Sequence, residues 1–172
     1  FMMSDPLIAL TVAASVTENV EVGTAVLQVP LYHPVDLAHR VLSLRQICGD
    51  RLILGVGAGS TADDFAAFGQ DYEHRFSTFA DAVEKLRGMF TDGGSLTPWP
   101  STLGGPPLFL GSWGKGVVTA ATEFDRWIAS AHYRTVDEIE VAIRRYRAAG
   151  GRRAIVSTIQ VSRQTDLGEL RD

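Results

Sequence analysis

Between Val20 and Gly59 the chain reads VEVGTAVLQVPLYHPVDLAHRVLSLRQICGDRLILGVGAG, and no other stretch restricts its fold as strongly. The β-branched run Val20 to Val29 predicts a strand. Pro34 then opens a helix in which Leu37, Val41, Leu44 and Cys48 share one stripe, and Gly49-Asp50 ends it. Leu52 to Val56 is short and wholly apolar, as a strand buried on both faces requires. Strand, helix, strand in that order makes a parallel crossover, and permissive residues follow each strand. In parallel α/β folds the C-terminal ends of the strands carry the chemistry.

The same alternation runs through the rest of the chain. Ser4 and Asp5 before Pro6 start a helix with Leu7, Leu10, Ala13 and Ala14 on one face. Phe76, Phe79, Val83, Leu86 and Phe90 recur at helical spacing, and Gly93-Gly94 close that helix. Pro107 to Leu110 predicts a strand, Lys115 to Thr122 a helix, and Arg126 to Ala129 a strand. Thr135 and Glu138 form a capping box ahead of a helix lined by Ile139, Ala142, Ile143 and Tyr146. After Gly150-Gly151, Ala154 to Val161 is the last strand. Five strands separated by helices, with no hairpin signal, predict an α/β fold with a parallel sheet. No linker divides residues 1–172, so a single domain is expected. Five strands cannot close a barrel of eight.

Composition narrows the partners. The chain is 45% hydrophobic and 21% charged, as in ordinary globular proteins. A net charge of −4 with interspersed signs offers no basic field for nucleic acid or anionic membrane. Cys48 alone forms no internal disulfide and no thiol cluster, which fits a cytoplasmic setting. No histidine–carboxylate grouping has metal-ligand spacing.

Two loops are candidates for holding an anion. LGVGAGS places Gly55, Gly57 and Gly59 between a buried strand and a helix beginning near Ser60-Thr61. Ser60 stands where a dinucleotide fingerprint has its third glycine, and Ile53 where a methyltransferase loop has its acid. Close packing at a sharp turn explains these glycines as well as a cofactor does. In PPLFLGSWGKG the strand delivers Gly111, Ser112, Trp113 and Gly114 to a helix mouth near Lys115, a better setting for a phosphate. His33, in YHP, could hold or move a proton, or serve only a structural hydrogen bond. His132 and Arg134, in SAHYR, are substrate-pocket candidates.

GTAVLQVPLYHP and GDRLILGVGAG resemble the bacterial luciferase-like family of flavin- or deazaflavin-dependent oxidoreductases. The resemblance covers nearly the whole chain and implies about strands three to seven of a TIM (β/α)8 barrel, so the chain reads as an incomplete barrel. It implies a monooxygenase using reduced FMN and oxygen on a small organic substrate, with a flavin reductase as a partner. The alternatives are hydride transfer with deazaflavin coenzyme F420 and a non-catalytic flavin-binding paralogue. By the same resemblance the Ala25–Val26 peptide would be cis beneath the ring, and Gly57 and Gly59 would lie near it. The phosphate would sit on Gly111, Ser112, Trp113 and Gly114. The sequence departs from the family at Arg126, where glycine is usual, and at Ala58, where the luciferase α-subunit has an arginine. A homodimer is also implied, with the Val35 to Cys48 helix and its small Ala38 as the pairing face. Five strands with open edges would not be stable as a free chain of 172 residues.

Overall fold

The computed structural model describes residues 4–91, 96–132 and 134–157. They fall into two compact units, Phe1–Pro107 and Leu108–Asp172.

The first unit begins with α1, Pro6–Ser15, which starts where the Asp5 carboxylate accepts from the N–H groups of Leu7 and Ile8 at 2.9 and 3.1 Å. Leu7 and Ala14 face inward, while Ile8, Val12 and Val16 stay 63%, 61% and 78% exposed. No basic residue lies in its last turn. Arg51 serves the carboxyl end instead, donating to the carbonyls of Ala14 and Val20 and to the Thr17 hydroxyl at 3.0, 3.3 and 3.1 Å.

The single strand expected from Val20 to Val29 is broken in two, β1 at Val22–Gly23 and β2 at Leu27–Gln28, followed by a 3-10 turn. Both pair in parallel with β3, Leu52–Gly57, every residue of which is buried. Gly23 stands opposite Ile53 and Leu27 opposite Val56. Thr24, Ala25 and Val26 therefore face only Leu54 and Gly55, which is a bulge. The buried Thr24 hydroxyl donates to the Gly55 carbonyl at 2.6 Å, taking an acceptor that a ladder bond would use. The Ala25–Val26 peptide is cis, at the position the resemblance marks.

Between β2 and β3 runs α2, Pro34–Cys48, with Leu37, Val41, Leu44 and Cys48 buried as the spacing predicts and Gly49 ending it at φ 60. Ala38 is fully buried within the unit, while Val35 and Ile47 of the same helix are exposed. After the short α3, Ala62–Ala67, comes α4, Arg75–Met89. Its inward face is Ala82, Val83, Leu86 and Met89, whereas Phe76 of the predicted stripe is exposed beside the Arg75 guanidinium. The expected Gly93-Gly94 stop lies outside the described residues.

The second unit is β4 (Leu108–Gly111), α5 (Gly116–Thr122), β5 (Arg126–Ser130), α6 (Val136–Ala148) and β6 (Ala154–Ser157). β5 lies between β4 and β6, parallel to both. Asp125 fixes the entry to β5. Its carboxylate accepts from the Leu108 N–H at 2.8 Å, and its own N–H donates to the Leu108 carbonyl at 3.0 Å. The capping box of Thr135 and Glu138 opens α6 as predicted. Trp127 fills the core with no exposed surface, tilted against Tyr146 at 5.4 Å. The predicted continuation of β6 to Val161 lies outside the described residues.

Candidate functional site

In the first unit the chemistry-bearing positions gather where β2 and β3 end. Ala25 is exposed and Val26 half-buried, leaving a small-residue surface of backbone on which a planar ring could lie. Gly57 is buried opposite Gln28. Gly59 has φ 87, and a Cβ there would fall 2.6 Å from Gln28 Oε1 and 2.7 Å from the Phe65 ring. Close packing thus requires that glycine, whatever else the loop does. The Gln28 amide donates to Asp64 at 2.9 Å, and the Tyr72 hydroxyl donates to the Ser60 carbonyl at 3.1 Å, holding the loop after β3 to its surroundings.

His33 is the exposed residue that precedes α2, and its side chain makes no capping bond. It lines a concavity of about 310 Å³ together with Tyr32 and residues of α4, among them Thr78 and Lys85. Sequence reasoning missed these α4 residues. Burial pushes the Tyr32 phenol above its ordinary range, and the charge on Asp5 adds to the shift. The other notable ionisable pair is exposed. Hydrogen bonding and charge from Asp71, whose oxygen lies 2.7 Å from His74 Nδ1, raise the His74 pKa above its usual value.

In the second unit the loop after β4 has the makings of an anion cradle. The Ser112 hydroxyl is buried and has no partner among the described residues. A Cβ on Gly116 would come within 2.7 Å of Ser112 Cβ, so only glycine fits beneath this loop. Gly114 turns at φ 61, with open space on its side-chain face. The Ser112 carbonyl accepts from the Trp127 indole at 2.8 Å, which pins the loop to the core. Trp113 stands edge-on to Trp127 at 5.6 Å and donates to the Ser130 carbonyl at 2.9 Å. The Arg134 guanidinium lies 4.9 Å over the Trp113 ring and pairs with Glu138 at 3.1 Å. Two of the sequence candidates, Trp113 and Arg134, are therefore in contact. Lys115 and His132 are exposed. Among the described residues no three His, Cys, Asp or Glu side chains could hold a metal ion, and no helix is long and apolar enough to cross a membrane.

Residues 1–166 match the model of the luciferase-like monooxygenase family, and the chain belongs to that family. Over 95 residues it is 30% identical to 4-hydroxyprotoasukamycin monooxygenase of Streptomyces nodosus subsp. asukaensis, covering 55% of this chain and 26% of that one. In three dimensions it is similar to the FMN-bound oxygenating constituent of 3,6-diketocamphane monooxygenase from Pseudomonas putida. There the TM-score is 0.71 at 16% identity, over 86% of this chain and 48% of that one. It is also similar to the coenzyme F420-dependent tetrahydromethanopterin reductase of Methanopyrus kandleri, with TM-score 0.66 at 18% identity, over 90% and 54%. These likenesses fix the fold class as α/β, an incomplete TIM barrel of the luciferase-like kind. The chain spans about half the length of these solved structures.

Proposed function

We propose that the protein containing this chain is a flavin-dependent monooxygenase that uses reduced FMN and oxygen on a small organic substrate. The observation that carries this reading is the β4–α5 loop, where a Ser112 hydroxyl with no partner among the described residues, a left-handed Gly114 and backbone N–H groups suit a phosphate. A bound reduced flavin supplies the electrons for oxygen activation, and the protein contributes binding, orientation and exclusion of water. In this reading Ser112 and Gly114 hold the phosphate, and His132 and Arg134 of the same unit meet the substrate. A flavin reductase as electron donor, a cytoplasmic setting and a homodimer belong to the same proposal. The exposed apolar residues Ile8, Val12 and Val16 of α1 and its end support a dimer contact there in this reading.

Ser112→Asp in the full-length protein tests the reading, because it sets a negative charge against the phosphate. Binding of FMN should weaken by roughly tenfold or more, the equivalent of about 1.4 kcal/mol, while riboflavin, which lacks the phosphate, should bind nearly as before. Equal losses for both would place the phosphate elsewhere. The second reading, hydride transfer with F420, is favoured by the likeness to the Methanopyrus kandleri reductase. Titrating the full-length protein with each cofactor decides between them.

A further inference from the structure

The concavity beside the β2 exit has a charge arrangement that the cofactor reading does not use. Its α4 wall presents Thr78, Asp81, Ala82 and Lys85, spaced at i, i+3, i+4 and i+7, so all four share one helix face. Asp81 and Lys85 are an i, i+4 pair of opposite sign in the orientation that ordinarily closes into an ion pair. Here neither makes an ion pair with the other or with any described residue, and both line the concavity. Pro30, Pro34 and the half-buried Tyr32 ring supply the apolar part of the remaining lining, and the exposed His33 and Gln70 its polar part. A carboxylate and an ammonium, one helical turn apart and both unpaired, select a ligand that carries both charges in the complementary order. A singly charged ligand would satisfy one and be repelled by the other. The volume of about 310 Å³ admits a molecule of the size of one amino acid.

We propose that this concavity binds a small zwitterion of the amino-acid type, its carboxylate on Lys85, its ammonium on Asp81 and its apolar body against Pro30, Pro34 and Tyr32. The proposal goes beyond the cofactor reading and does not rest on it.

The test is a double-mutant cycle read by calorimetric titration of the full-length protein. The probes are L-leucine, 3-methylbutylamine, which lacks its carboxylate, and 4-methylpentanoate, which lacks its ammonium. Wild type should prefer L-leucine to each by about three- to fivefold, the range of partly exposed ion pairs. Lys85→Met should abolish the preference over the amine and keep the preference over the acid, and Asp81→Asn should do the reverse. Both side chains are exposed, so melting temperature should not change. Absence of L-leucine binding, equal binding of the three probes, or variants that discriminate as wild type does would each overturn the proposal. Failure to bind FMN and F420 in parallel titrations would remove the cofactor reading and leave this one standing.

Discussion

Trp127→Phe separates the core's contribution from that of the phosphate loop, because one side chain serves both. Trp127 is fully buried, and its indole N–H is the donor to the Ser112 carbonyl at 2.8 Å. Phenylalanine keeps a ring in the core but removes roughly 40 Å³, which at about 24 cal/mol per Å³ costs about 1 kcal/mol. It also removes the donor to the part-buried Ser112 carbonyl, and losing such a bond costs about 0.5–1.5 kcal/mol. The loss should therefore total about 1.5–2.5 kcal/mol, a sizeable share of a typical domain's stability. Urea unfolding of the full-length protein, followed by far-ultraviolet circular dichroism, measures it as a fall in midpoint of about 1 M at a slope near 2 kcal/mol per M. A change below about 0.5 kcal/mol, within the range of surface substitutions, would refute the claim that this indole pins the loop. Its natural complement is Ser112→Ala, which removes a hydroxyl without a partner among the described residues and should leave the midpoint nearly unchanged.

Other outcomes follow from the same geometry. Gly59→Ala should destabilise by about 1–3 kcal/mol, read in the same urea titration, because φ is 87 and the new Cβ would meet Gln28 and Phe65. His74 should titrate above its ordinary 6.5 by NMR, and Asp71→Asn should bring it back. The sign is that of a raised folded-state pKa, so the contact's contribution is complete below the unfolded value of 6.5 and is lost as pH rises through the folded one. Val12→Asp, on the exposed stripe of α1, should convert a dimer to a monomer by light scattering; an unchanged mass would move the contact elsewhere.

What the sequence made legible was what is encoded locally. The stripe of α2, the stop at Gly49, the apolar β3 and the capping box of Thr135 and Glu138 each lie within a few residues of the structure they specify. The break between β1 and β2 does not, since it depends on a Thr24 bond to a carbonyl 31 residues away. Helical spacing placed Phe76 on a buried face because periodicity tells which side a residue occupies, not how far along the helix the core extends. The loop candidates divide in the same way. The spacing of Gly59 was equally compatible with packing or an anion, and only the approach of Gln28 and Phe65 shows the packing demand. Lys85 and Thr78 carry no motif, and nothing short of the fold brings them to the concavity of His33.

The service that Arg51 gives to α1 sets an order of events during synthesis. The carbonyls at the end of that helix are met by a guanidinium 37 residues further along the chain. At about 5–20 residues per second, the ribosome delivers that donor roughly two to seven seconds after Ala14. Until then the helix emerges with its carboxyl end uncompensated, and the turn that joins it to β1 has no side-chain partner from Arg51 to hold it.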